Sequence, residues 1–315
     1  MDDPPSLPAR SKDAHKGTAG TVGIVGGCAA ADQPRMIGAP ALAALGALRA
    51  GAGLAKIAAP GPILTDAVSM CPSATGIALP TDSLGDIVAH EAAGVLDALA
   101  DAADCLVVGP GLGSGEGVAA LVVRAVGQQE APVVLDADGL NTLAGVAHFA
   151  SEIRARLIVT PHPGEFRRLA EPLKITQRPT DTNERPAAAE RMAQALGCVV
   201  VLKGAGTVVS DGHRTWTCAH GHPCLATAGT GDVLSGVIAG MVAQFAAPPP
   251  IAPGVPMPVN PAKPFDLYEC ARVGVLVHAR AGERWARRHG ASAGLIATEL
   301  AAEIPGAVEA ERSDA

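Results

Sequence analysis

The 315-residue sequence is poor in aromatic side chains, with two tryptophans, one tyrosine and four phenylalanines. Single-stranded nucleic acid is bound by stacking bases on aromatic platforms, and this chain has too few to build them. It also lacks an excess of positive charge: 24 Lys and Arg stand against 31 Asp and Glu, for a net charge of −7. A phosphate backbone needs a basic surface, so nucleic acid is excluded as the main partner, while one small anion in a local pocket is not. No run of about 18 apolar residues occurs without a charge or a glycine, so no membrane partner is expected. The first sixteen residues, MDDPPSLPARSKDAHK, contain no apolar segment of the kind that opens a secretory leader. The seven cysteines are odd in number and include no CxxC pair. Such scattered cysteines read as reduced thiols, and the expected location is cytoplasmic.

What the sequence does contain is apolar surface: 48% hydrophobic residues against 17% charged ones, which excludes wholesale disorder. Residues 1–16 and 305–315 are expected to be unstructured, leaving a folded domain over 17–304. Residues 248–264 hold eight prolines and are expected to form an exposed excursion, because proline cannot donate to a ladder or a helix. Short apolar runs at Thr21–Val25, Leu54–Ala58, Cys105–Val108, Pro132–Leu135, Leu157–Val159, Cys198–Leu202 and Val208–Ser210 read as strands. Several are nearly continuous, as for strands covered on both faces. Helical patterns lie near Pro40–Ala50, Ile87–Leu99, Gly117–Val126, Pro186–Leu196, Asp232–Gln244 and Phe265–Arg288. This alternation predicts an α/β fold with a mostly parallel sheet and helices on both faces. Ligands of such sheets bind at the carboxyl ends of the strands.

The strongest motif is Ala228-Gly229-Thr230-Gly231-Asp232-Val233. Glycines open a helix whose free amides and macrodipole suit an anion, and Asp232 in its first turn is placed to act as a base beside a phosphate. A plain capping role for Asp232 would not need glycines on both sides of the threonine. In Leu202-Lys203-Gly204-Ala205-Gly206-Thr207, a strand gives way to a glycine turn with one lysine, a combination suited to a nucleotide phosphate. Val108-Gly109-Pro110-Gly111-Leu112-Gly113 is a weaker phosphate loop. Its spacing departs from the dinucleotide fingerprint, although Asp136 lies near the distance where that fingerprint has an acid. In Thr160-Pro161-His162-Pro163-Gly164-Glu165-Phe166, two prolines fix a histidine at a strand end, where ligand contact is favoured. Asp136 and Asp138 could hold Mg²⁺, or Asp138 could simply cap a helix. Cys218-Ala219-His220-Gly221-His222-Pro223-Cys224 offers four ligand types but none of the usual zinc spacings, so no structural metal is expected there.

Taken together, these motifs resemble the ADP/ATP-dependent NAD(P)H-hydrate dehydratase family of the ribokinase-like superfamily. The resemblance runs from about Lys16 to Glu303 and includes Gly38-Ala39-Pro40 at a helix start. It departs from the family at Met36, where a tyrosine is frequent, and in the length of the proline-rich insert. The resemblance implies a ribokinase-like three-layer sandwich. It implies that Ala39, Gly113, His162 and Asp232 touch the hydrated nicotinamide nucleotide. Lys203, Gly204, Ala205, Gly206, Thr207 and Gly231 would hold the phosphate donor, ADP or ATP, with Mg²⁺ as cofactor. No protein-ligated metal site is implied. Only about 16 residues precede the first strand, so a standalone dehydratase without the epimerase domain is expected, as a homo-oligomer, by resemblance a tetramer.

The implied reaction is ADP-dependent dehydration of the S-form of NADH-hydrate and NADPH-hydrate to NADH and NADPH, giving AMP and phosphate. Asp232 would be the general base. The runner-up is a ribokinase-like small-molecule kinase that phosphorylates an alcohol with the same Asp232. A non-catalytic nucleotide-binding regulator would keep the glycine loops without needing Asp232. A Rossmann dehydrogenase is weakened by the glycine spacing.

Overall fold

In a computed structural model, residues 3–248 and 263–312 are described. Nine strands form one sheet, in the order β3-β2-β1-β4-β5-β6-β7-β8-β9. They are β1 (Thr21–Val25), β2 (Leu54–Pro60), β3 (Thr75–Leu79), β4 (Cys105–Val108), β5 (Val133–Leu135), β6 (Leu157–Val159), β7 (Val199–Leu202), β8 (Val208–Ser210) and β9 (Thr215–Thr217). Strands β1 to β7 pair in parallel; β8 and β9 append an antiparallel edge.

The near-continuous apolar runs have a direct cause. Alternate residues of each central strand enter different cores. Val107, Val134, Ile158 and Val201 join one cluster, while Leu106, Leu135, Val159 and Val200 join the other. The first cluster is completed by α1 (Gly38–Arg49), α8 (Thr230–Phe245), α9 (Leu267–His289) and α10 (Ala297–Glu309), with α2 (Gly61–Met70) beside it. The second is completed by α3 (Ala89–Asp101), α4 (Glu116–Gly127), α5 (Asp138–Ala144), α6 (Pro163–Ala170) and α7 (Arg185–Leu196). The result is the expected three-layer α/β sandwich. Helices α1 and α8 cross with their backbones in contact. A methyl group at Gly46 would lie 2.4 Å from the Val233 carbonyl oxygen, and one at Gly236 2.0 Å from that of Ala43. Only glycine permits this approach, and the approach fixes where α8 begins.

All seven strands read from the sequence are present, with ends shifted by at most two residues. The edge strands β3 and β9 lack a continuous β-branched run, and β3 is largely exposed, so neither showed the pattern of a buried strand. Helices α2, α5, α6 and α10 were also not anticipated; α5 and α6 are only seven and eight residues long.

Both expected disordered ends need correction. Leu7 is fully buried, its amide donates to the Glu311 carbonyl at 2.7 Å, and Arg312 Nη1 donates to the Pro8 carbonyl at 2.6 Å. Helix α10 continues through Pro305 to Glu309, because Ile304, Ala307 and Val308 bury its inner face. Packing of one leucine and one helical face outweighs the polar, proline-rich composition. Leu7→Ala should therefore cost about 2–5 kcal/mol, the usual range for a buried leucine. Denaturant unfolding of the variant checks this; a cost within error of zero would show that the contact carries no stability. The expected excursion at 248–264 lies almost entirely outside the described residues.

Candidate active site

The strand order reverses between β1 and β4, where the next connections depart in opposite directions, and a crevice at that place is where doubly wound sheets bind ligands. Here the chain leaves β1 as Gly26-Gly27 and β4 as Gly109-Pro110-Gly111, and the Gly27 amide donates to the Pro110 carbonyl at 3.0 Å. Ala39, in the first turn of α1, packs against Gly111. The Gly113 amide donates to Asp138 Oδ2 at 3.0 Å, and the carboxamide of Gln33 clamps Ser114 at both its amide and its carbonyl. Ala39 and Gly113 thus share one lip of the crevice. Asp138 is the first residue of α5, not its cap. That place belongs to Ala137 at φ 49°, so the capping reading of Asp138 does not hold.

The carboxyl ends of β5, β6 and β7 bring the other residues together. Lys203 follows β7, and its Nζ lies 2.6 Å from Asp136 Oδ1 and 3.7 Å from Glu165 Oε2. Asp136 follows β5 and is fully buried, as Glu165 nearly is. Burial strips water from the Lys203 ammonium, but Asp136 and Glu165 outweigh that loss and hold its pKa above the ordinary lysine value. Burial pushes the Glu165 carboxyl up to about 7, against the pull of Lys203.

His162 caps α6. Its Nδ1 accepts from the amides of Gly164 at 2.9 Å and Glu165 at 3.3 Å, while Glu165 Oε2 accepts from the His162 amide at 2.7 Å. This reciprocal box occupies Nδ1 as an acceptor and leaves Nε2 to carry the proton. Burial, then Lys203 and Arg168, lower its pKa, so the ring is neutral at pH 7. Glu165 had no assigned role in the sequence reading. Its spacing three residues after His162 is that of a capping box, and was the available signal.

Helix α8 begins at Thr230 after Gly229, which offers no side-chain cap. Among the described residues, the Thr230, Gly231 and Asp232 amides have no backbone acceptor. Its first turn is tied down from two sides. The Thr230 hydroxyl donates to the Leu225 and Thr227 carbonyls, and His278 Nε2 of α9 lies 2.9 Å from the Thr230 carbonyl oxygen. Burial pulls His278 down to about 4, so its ring is neutral and Nε2 is the donor. Gly231 lies beside Lys203 Nζ. Asp232 is mostly buried; that burial, with Asp136 nearby, pushes its carboxyl up to about 7 while Lys203 pulls it down. The site thus sets a carboxyl with a pKa near 7 in the first turn of α8, within the influence of Asp136, Lys203, Asp138 and Glu165.

The Cys218–Cys224 segment follows β9, with the Cys218 amide donating to the Thr207 carbonyl at 2.9 Å, and sends its ligand atoms apart. Cys218 Sγ donates to the His220 carbonyl, Cys224 Sγ to the Gly282 carbonyl, and His220 pairs with Glu283. Among the described residues, no three His, Cys, Asp or Glu side chains are grouped to hold a metal ion.

A family profile described as NAD(P)H-hydrate dehydratase matches residues 22–306. The chain belongs to the NAD(P)H-hydrate dehydratase family. An ADP-dependent (S)-NAD(P)H-hydrate dehydratase of Xanthomonas campestris is 34% identical over 96% of this chain and 92% of its own length. The chain spans about half the length of several curated relatives it matches. Among these is a bifunctional NAD(P)H-hydrate repair enzyme of Salinibacter ruber, 38% identical over 97% of this chain and 51% of the relative. A crystal structure of the Bacillus subtilis ADP/ATP-dependent NAD(P)H-hydrate dehydratase, co-crystallised with ATP and Mg²⁺, superposes with a TM-score of 0.73. It is 29% identical, covering 98% of this chain and 95% of that one. The sandwich is accordingly a ribokinase-like fold. No helix among the described residues is long and apolar enough to cross a membrane.

Proposed function

We propose that the protein dehydrates the S-forms of NADH-hydrate and NADPH-hydrate, using ADP as phosphoryl donor and releasing AMP and phosphate. The observation that carries this reading is Asp232: a mostly buried carboxylate with a pKa near 7 in the first turn of α8, next to Gly231, which lies beside Lys203 Nζ. Ala39, Gly113 and His162 contact the hydrated nicotinamide nucleotide. Lys203, Gly204, Ala205, Gly206, Thr207 and Gly231 hold the donor.

The chemistry follows from the substrate. Hydroxide is a poor leaving group. Asp232 takes the proton of the ring hydroxyl as its oxygen attacks the terminal phosphorus of ADP, and AMP departs. The resulting phosphate ester is a good leaving group. The ring nitrogen's lone pair assists its expulsion, and loss of the proton on the neighbouring carbon restores the reduced ring. Free amides at the start of α8 and the Lys203 ammonium stabilise charge on the transferring phosphoryl. Mg²⁺ typically binds through one or two carboxylates together with substrate phosphates, and the acids here fit that pattern. Asp136 and Asp138 would hold it through water or a phosphate oxygen, and it would neutralise phosphate charge. We further propose a cytoplasmic homo-oligomer, a tetramer, with no nucleic-acid or membrane partner, consistent with the acidic balance and the buried thiols.

The test is incubation with hydrated NADH, ADP and Mg²⁺ while NADH absorbance is followed. Recovery of absorbance with one AMP per NADH is expected. A stable phosphorylated alcohol without NADH would instead indicate a kinase. His162→Ala should raise the KM for the hydrate and leave ADP affinity unchanged. Loss of its cap should also cost about 1 kcal/mol of stability. Equal weakening of both substrates, measured by steady-state kinetics, would contradict the placement.

A further inference from the structure

Arg185 opens α7 and has no part in the chemistry above. Its side chain is almost wholly buried, 6% exposed with the residue as a whole. Nη1 donates to the Pro179 carbonyl at 2.6 Å. Nη2 donates to the carbonyls of Leu202 at 2.9 Å, Lys203 at 3.3 Å and Gly206 at 3.3 Å. Three of the four acceptors therefore belong to the Leu202–Thr207 turn, and Gly204, at φ 144°, packs directly on the guanidinium. Among the described residues, Nε is buried without a partner. Its chain neighbour Glu184 is engaged with Arg178, and burial lowers the pKa of Arg185 with no carboxylate acting to raise it. A buried cation without an acid partner is costly, and this one lies under the loop assigned to the nucleotide.

The loop shows what that charge achieves. Carbonyl oxygens at a turn repel phosphate oxygens; here three are drawn onto one guanidinium. Among the described residues, the amides of Gly204, Ala205, Gly206 and Thr207 have no acceptor, and Gly204 and Ala205 are exposed. We propose that Arg185 is the positioning residue of this loop: it holds the carbonyls back so that the free amides, backed by its own uncompensated charge, receive the polyphosphate of a nucleoside diphosphate. The inference rests on the proposed placement of ADP on Lys203–Thr207. It assigns the work to the planar fork of an arginine, which a lysine cannot reproduce.

The experiment compares Arg185→Met and Arg185→Lys with wild type by calorimetric titration of ADP, AMP and adenosine, alongside steady-state kinetics. Arg185→Met should weaken ADP about ten- to a hundredfold, from the loss of charge-assisted hydrogen bonds, and should leave the KM for the hydrate at saturating ADP unchanged. The loss should grow from adenosine to ADP, which general loosening of the loop would not produce. Arg185→Lys should fall between, since it keeps the charge without spanning the carbonyls. Equal weakening of adenosine and ADP, or ADP affinity within twofold of wild type in folded Arg185→Met, overturns the inference. If Arg185→Met does not fold, Arg185→Lys decides, and wild-type ADP affinity there overturns it. A wild-type protein that binds no ADP sinks the placement of the nucleotide itself, and this inference with it.

Discussion

Asp232→Asn is expected to fold, bind ADP and be nearly inactive. Asn matches the volume of Asp, and the N-cap position of α8 belongs to Gly229, so a purely structural role for Asp232 in the first turn predicts near-normal turnover. A base role predicts a loss of about 10²–10⁴-fold in kcat. ADP affinity should be kept or improved, because a carboxylate facing phosphates repels them. Stability supplies a second readout. Burial raises the Asp232 carboxyl from 3.8 to about 7, so the folded ligand-free state holds its proton where the unfolded chain has lost it. That contribution is fully present below the unfolded value and is lost as the pH rises from about 3.8 to about 7. The Asn variant cannot ionise. It should melt above wild type at pH 8, and that advantage should vanish at pH 4. Wild-type activity should fall as the pH drops below about 7, because only the ionised carboxylate can take a proton. A variant that keeps most of its turnover would remove the base assignment and favour a nucleotide-binding protein without catalysis.

Lys203→Met should damage stability and nucleotide binding together. Its ammonium faces Asp136 and Glu165, both buried, and methionine leaves two carboxylates without their cation. Removing one partner of a buried pair typically costs about 3–5 kcal/mol. ADP affinity should fall as well, because the cation beside Gly231 is gone. The double variant Lys203→Met/Asp136→Asn separates the two effects. Neutralising Asp136 should return much of the stability and none of the ADP affinity. Denaturant unfolding and titration calorimetry read both quantities. Wild-type melting and wild-type ADP affinity in the single variant would mean that the lysine serves neither purpose.

The central strands were legible because each is covered on both faces, which leaves an unbroken apolar run in the sequence. The edge strands β3 and β9 and the short helices α5 and α6 were not, since half-exposed or two-turn elements leave no such periodicity. At the site, the glycine-led start of α8 and the Lys203–Thr207 turn were visible from local chemistry. Glu165 was passed over because a capping glutamate and a buried acid beside a lysine look alike until the partner strand is in place. Arg185 carried no signal, standing among polar residues at the head of a helix with three of its four acceptors 17 to 21 residues away.

The sequence by itself determined the layers, the parallel centre of the sheet and the identity of the helix start that carries Asp232. These depend on local periodicity and on the steric freedom of glycine, which short segments already contain. Tertiary structure decided the ionic state of the site. The pairing of Asp136 with Lys203, the near-neutral pKa values of Asp232 and Glu165, and the unpaired charge of Arg185 arise only when the ends of separate strands converge away from water. Desolvation and Coulomb attraction depend on distances through space, and those are set only once the sheet has assembled.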